Sequence, residues 1–551
     1  MGLKRLIVQF YTKEKLILFL LVSLFLTLEI INIKLPGLYA DEALPACGSL
    51  QIIKKIDPII WSVKIFNTYF PLTLGVTHEA ALESYILLPF FYLFGINVVV
   101  LRLVPVVIGA VTLIFMYFFL KGFFSRGVGL LSLFLLVINS IFLLETKLGL
   151  NSASMLHFTG MAALWSLFRW YKSKGNAYFY LGVFLLCVGI SIRIWFLWFF
   201  NGVIILSIIF RHRLRERLKG NIWKYVAIFC IIFLLSNSPF VYYNLTSRFG
   251  TFRHIIKNFS KTTEQDAVNN LSYSKNLQER FRVFTRYLNG SWSLLEQGCW
   301  NNRTSWKEIS LNRLYPFMFW AVFIYLVFCA IFNKTKFSRK RIWFVLILFS
   351  LILLQSPFTL SSLGGPHLFI LYPLVQIILG LGLIEVVRKF KKNIIMLTII
   401  TCATVIFVFL ECNNTVRNNF LYFKKTGGTG NNSDSIYALS NYFQDAKIFK
   451  PIIMDWGIYH NLIFLSKAQT KPRTFVYVQG GFQKEEFISE LNYILHDENA
   501  RYVFHAPEYT NRQEIYPIFE KAYKAQGKNI NREVVFNQRD GRPVYVIYSV
   551  R

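Results

Sequence analysis

Long apolar runs alternate with short basic stretches over the first 410 or so residues, after which the pattern changes. A bilayer core about 30 Å thick is crossed by roughly 20 apolar residues in a helix. At that length the chain predicts about eleven spans: 16–33, 98–120, 127–145, 151–171, 177–193, 194–210, 222–243, 314–332, 342–355, 367–387 and 393–410. Residues 82–94 are apolar but too short to cross, so they are expected at the interface or in a re-entrant turn. The first run is longer than a signal-peptide core, and Leu38-Tyr39-Ala40 is a poor cleavage site, so it is read as a permanent span.

The connecting stretches supply an orientation. With the N-terminus inside, Lys121/Arg126, Arg169/Lys172/Lys174, the 211–219 cluster, the 334–341 cluster and Arg388/Lys389/Lys391/Lys392 all fall on one side. Short loops biased in this way follow the positive-inside rule. Residues 34–97, 244–313 and the C-terminal segment are then expected outside. The last of these opens with Gly427-Gly428-Thr429-Gly430-Asn431-Asn432-Ser433, whose composition is that of a linker. Beyond it, helix-like stretches (435–446, 484–495) alternate with strand-like ones (452–454, 475–478, 502–505). Residues 534–536 and 544–548 flank Asp540-Gly541, a hairpin signal. The expectation is a polytopic α-helical membrane module over 1–425 and a small extracytoplasmic α/β domain over 426–551.

Composition agrees. Hydrophobic residues make up 54% of the chain and charged ones only 16%, against about a quarter in a soluble domain. The net charge of +31 would suggest nucleic acid in another setting, but here the cations sit between apolar runs. No CxxC pair, zinc-spaced Cys/His cluster, nucleotide-binding glycine loop or Ser/His/Asp set is present.

The informative residues are acids and cations at the outer boundaries. Asp41 and Glu42 follow the first span directly, where carboxylates are not needed for anchoring. His78-Glu79, Glu83 and Tyr85 lie later in the same loop, followed by Phe94-Gly95 and Arg102. Arg193 falls at the junction of two apolar runs, and a cation at membrane depth is by default a functional candidate.

In this order the residues resemble those of the GT-C class of membrane glycosyltransferases, which use polyprenyl-phosphate sugars. The nearest families are the protein O-mannosyltransferases and the lipid A aminoarabinose transferase. Asp41-Glu42, Glu79 with Tyr85, Phe94-Gly95 and Arg102 match family positions in sequence, and the likeness extends over nearly the whole chain. Two departures stand out. The family's Pro-Pro is Ala80-Ala81 here, and Asn151 stands where many relatives have Asp. A neutral amide is a poorer divalent ligand than a carboxylate, so no cofactor is assigned and a divalent metal ion is left open.

The resemblance implies sugar transfer from a polyprenyl-phosphate carrier to a protein, glycolipid or lipid acceptor. The topology puts the reaction at the outer face, one-step attack opposite the phosphate would invert the anomeric centre, and the Lys- and Asn-rich chain is expected in a bacterial inner membrane. Asp41 is the expected base or acceptor-orienting group, with Glu42 and Glu79 as further catalytic carboxylates. Arg193 is the expected phosphate contact, with Arg102, Lys147, His367, His78, Tyr85 and Asn151 as donor- or substrate-binding helpers. The competing classes are a polysaccharide polymerase or ligase and a lipid-linked-sugar flippase. Neither clear inverted repeats nor midplane charges on broken helices favour the flippase.

Overall fold

The computed structural model describes residues 2–74, 79–149, 152–173, 175–210, 222–259, 272–291, 310–332, 339–358, 365–478 and 484–551. Helices dominate as far as residue 426. They are α1 (Gly2–Ile30), α2 (Ala40–Lys54), α3 (Leu82–Phe94), α4 (Val98–Phe123), α5 (Arg126–Val137), α6 (Ser140–Leu148), α7 (Ala153–Lys172), α8 (Ala177–Ile192) and α9 (Phe196–Ile209). There follow α10 (Ile222–Ser236), α11 (Ser238–Thr246), α12 (Gly250–Phe259), α13 (Tyr273–Asn289), α14 (Leu314–Phe332), α15 (Arg339–Gln355), α16 (Tyr372–Phe390) and α17 (Ile394–Thr415). A hairpin of β1 (Ser62–Ile65) and β2 (Thr68–Pro71) interrupts the segment between α2 and α3.

Among the described residues, Val98–Phe123, Leu314–Phe332, His367–Phe390 and Ile394–Thr426 are each long and apolar enough to cross a membrane. Two expected spans are bent instead of straight. The 127–145 run breaks into α5 and α6 at 69°, because Asn139 caps α6 by accepting from the Phe142 amide and so ends the preceding helix. The 222–243 run breaks by 67° at Asn237, where Pro239 begins α11 and cannot continue the helix before it. The 82–94, 177–193 and 194–210 runs appear as the shorter apolar helices α3, α8 and α9.

The basic stretches collect at one end of this bundle. Glu14 of α1 bonds Tyr117 and Lys121 near the end of α4 and pairs with Arg126 at the start of α5. Lys172 and Arg341 reach the carbonyls of Gly122 and Phe123 at the same corner. The 211–219 cluster lies outside the described residues, as do Lys334 and Lys336. α16 is buried on nearly all sides from Tyr372 to Leu383.

Residues 435–551 build a five-stranded mixed sheet from β3 (Ile452–Ile453), β4 (Arg473–Thr474), β5 (Tyr502–His505), β6 (Ile530–Asn537) and β7 (Pro543–Val550), in the order β4-β3-β5-β7-β6. The helices α18 (Ser435–Asp445), α19 (Tyr459–Leu465), α20 (Lys484–Ile494) and α21 (Ile515–Ala525) connect and cover it. The hairpin around Asp540-Gly541 is present as the antiparallel β6–β7 pair. The expected strand at 475–478 is displaced to Arg473–Thr474, because Phe475 and Val478 turn inward against α20 instead of continuing the ladder.

The Gly427–Ser433 stretch is no solvated linker: its residues are buried. Gly37 donates to the Gly427 carbonyl, and a Cβ on Gly37 would fall 2.2 Å from the Ser433 oxygen. Gly428 has φ +102°, a conformation that favours glycine, with the Pro36 side chain close by. One apolar core joins Leu38, Ala43 and Cys47 to Leu87, Val98, Ile436, Leu462 and Val503, so the C-terminal layer sits directly on α2, α3 and the start of α4.

Candidate active site

The site begins with the loop that leaves α1. Tyr39 is the N-cap of α2, and its backbone amide donates to Glu42 Oε1 at 2.8 Å, the N3 carboxylate half of a capping box, which holds the first helical turn. Asp41 and Glu42 are both in that turn, where the helix dipole favours negative charge.

Neighbours in sequence, the two carboxylates have different surroundings. Glu42 is buried and receives Arg102 Nε at 2.9 Å and Nη2 at 2.5 Å. Arg102, on α4 and fully buried, spends its other donors on the carbonyls of Ile33, Pro36 and Gly37 at 2.8–3.1 Å. This one guanidinium therefore ties the 33–42 loop to α4. Asp41 is only partly covered, yet packed protein around it raises its pKa, and the Arg193 charge opposes that rise.

Arg193 occupies the break between α8 and α9 and forms an ion pair with Glu79. Ala80 donates to the Ser191 carbonyl at 3.1 Å, which pins the Glu79 segment to the end of α8. The Arg193 guanidinium lies 5.4 Å from the Trp195 ring centroid, and the Trp195 and His367 rings are 3.8 Å apart. Arg193 Nε has no hydrogen-bond partner among the described residues. Asp41, Glu79, Arg193 and His367 are thus gathered at one end of the bundle, away from the corner where Lys121, Lys172 and Arg341 meet.

The other expected residues are more scattered. Lys147 donates to the Ile31 carbonyl at 3.2 Å, lies over the Phe420 ring, and is electrostatically coupled to the buried Glu29. Tyr85 donates to the Pro71 carbonyl at 2.6 Å and so braces the β-hairpin. His78 and Asn151 lie outside the described residues, as do Trp292, Trp300 and Trp306. Among the described residues, no group of three or more His, Cys, Asp or Glu side chains could hold a metal ion.

Glu83, in the same loop as Glu79, accepts from the Ser152 hydroxyl at 2.7 Å. Sequence reasoning overlooked several other residues. Arg280 on α13 is fully buried, donates from Nε to the Ser356 carbonyl and lies 5.9 Å from the Trp198 ring. Glu411 accepts from Asn139, Asn312 and the Ser140 amide, joining α5–α6, α14 and α17. Trp456 packs edge-on against Tyr39 at 5.7 Å, and Asn461 donates to the Leu38 carbonyl, so the C-terminal layer touches the residues just before Asp41. The available signal was an acid, amide or Arg within an apolar stretch, which implies a partner without naming it.

Residues 78–243 match the family model described as dolichyl-phosphate-mannose-protein mannosyltransferase. That span contains Glu79, Arg102, Lys147 and Arg193, whereas Asp41 and Glu42 precede it. The fold is similar to that of ArnT from Cupriavidus metallidurans bound to undecaprenyl phosphate, with TM-score 0.59, 12% identity, and coverage of 96% of this chain and 97% of that one. It is also similar to the oligosaccharyltransferase AglB from Archaeoglobus fulgidus, in complex with an inhibitory peptide and a dolichol-phosphate. There the TM-score is 0.56 and the identity 12%, over 93% of this chain and 72% of that one. No curated protein matches the chain by sequence.

Proposed function

Taking this chain as a membrane protein with the GT-C glycosyltransferase fold, we propose that it transfers a sugar from a polyprenyl-phosphate carrier to a hydroxyl or amine acceptor. The observation that carries the reading is the grouping of Asp41, Glu79 and Arg193 at one end of the bundle, with an unspent Arg193 donor.

In this reading Asp41, as carboxylate, takes the acceptor's proton while the acceptor atom attacks the anomeric carbon. The bond from that carbon to the phosphate oxygen breaks, and its electron pair leaves on polyprenyl phosphate. Attack opposite the leaving group inverts the anomeric centre. Arg193 receives the developing phosphate charge through charge-assisted bonds, and Glu79 holds it in position. Trp195 and His367 wall the Arg193 side. Glu42, Arg102 and Tyr85 position the loops that carry Asp41 and Glu79. The outer face is assigned to this end because the described basic stretches lie at the other. The acceptor would meet Asp41 beneath the C-terminal layer, where Trp456 and Tyr39 touch.

The test is transfer in proteoliposomes, offering polyprenyl-phosphate sugars and following release of polyprenyl phosphate. Wild type should turn over at least one donor, and Asp41→Asn should lose transfer by about 10²–10⁴-fold, the usual contribution of a positioned base. Full activity of Asp41→Asn would remove that residue from the mechanism.

A further inference from the structure

At the basic end of the bundle, opposite Asp41 and Arg193, a cavity of about 670 Å³ opens between α4, α7, α9 and α15. Its volume falls within the roughly 300–1,000 Å³ of sites that enclose small ligands. Phe168, Trp170, Phe210 and Phe344 line its apolar part. Lys172, Lys340 and Arg341 line it too, and among the described residues none of those lining it is acidic. Lys172 and Arg341 are drawn to neighbouring carbonyls of the α4 C-terminus, at Gly122 and Phe123. Each bond uses one donor of a group that carries three or five. The cluster holds three positive charges beside an aromatic-lined space, at the last residue of α7 and the first turn of α15.

We infer that this cavity binds an anionic glycerophospholipid, with its phosphate among Lys172, Lys340 and Arg341 and one acyl chain against Phe168 and Phe344. Charge complementarity selects the occupant. Basic pockets between membrane helices hold anionic head groups, and the apolar volume beside the cations accepts a chain, which a free phosphate lacks. The site is separate from the proposed transfer site, because α4, α7, α8 and α9 each run from one end to the other, with Arg102, Ser152 and Arg193 at the far end.

The experiment uses the full chain in phosphatidylcholine nanodiscs with a photoactivatable dioleoyl-phosphatidylglycerol probe, and maps cross-linked peptides by mass spectrometry. Cross-links should concentrate on 164–172 and 340–344. Unlabelled phosphatidylglycerol should compete, whereas phosphatidylcholine and inorganic phosphate should not. Reversing the two exposed lysines, in K172E/K340E, should lower capture by about tenfold or more. Filling the cavity in Ser207→Trp should lower it as well, at unchanged thermal midpoint. Equal competition by phosphatidylcholine, undiminished capture in K172E/K340E, or loss in the charge variant alone with Ser207→Trp unaffected would each overturn the site. Displacement by polyprenyl phosphate at equal concentration would overturn the assigned occupant. Binding is read without any transfer reaction, so its failure is distinguishable from failure of the proposed enzyme activity.

Discussion

Glu42 and Arg102 form a buried pair in which one guanidinium joins a helix start, three loop carbonyls and a membrane helix. Two charges taken from water are retained only when their remaining donors and acceptors are satisfied, and here they are. The pair makes the position of Asp41 a property of the bundle and not of a loose loop.

Removing one partner should therefore be severe. Arg102→Ala leaves a buried carboxylate and three unpaired carbonyls, a loss expected at about 3–5 kcal/mol. Arg102→Lys should recover little of it, because an ammonium lacks the planar fork that serves Glu42 and the loop together. Thermal unfolding in detergent, with proteolysis across 33–39 as the local readout, checks both. An Arg102→Lys protein as stable as wild type would contradict this account.

Asp41 should trade stability against activity. Its pKa is raised by burial, so the fold prefers the protonated carboxyl. The associated stability is therefore present at low pH and lost as pH rises through the folded value. Asp41→Asn should melt at or above the wild-type temperature at neutral pH while losing transfer. For wild type, the acidic limb of the rate profile should lie above the ordinary aspartate range, near pH 4, and the residual rate of Asp41→Asn should lack that limb.

Arg193 and Glu79 should behave as one unit. Arg193→Gln removes the proposed phosphate contact and should lower kcat/KM by roughly 10²–10³-fold, as losing a preorganised donor to a developing anion does elsewhere. Glu79→Gln keeps Arg193 but loosens its aim, and should cost less. The double variant should be no worse than Arg193→Gln, because residues acting together are not additive. Additive losses would show that Glu79 acts independently of Arg193.

Gly37→Ala tests the seam between the C-terminal layer and the loop before Asp41. A methyl there would meet the Ser433 carbonyl oxygen at 2.2 Å, a backbone atom that cannot swing aside as a side chain can. The expected destabilisation is about 1–3 kcal/mol, typical of overpacking. Proteolytic sensitivity should rise at 427–434 before it rises within the helices. Wild-type resistance at that stretch would mean that the seam yields without consequence.

Membrane character, the two acids that follow the first apolar run and the β6–β7 hairpin were legible in the chain. Each depends on residues close in sequence: runs of apolar side chains, adjacent carboxylates, a two-residue turn. Tertiary structure alone decided that Arg102 serves Glu42 while Arg193 serves Glu79, that two apolar runs bend near 70°, and that a glycine-rich stretch is buried. A buried polar group must find some partner, and the sequence announces that need. Which partner it finds is set by which helices pack side by side, a matter of shape spread over the whole bundle.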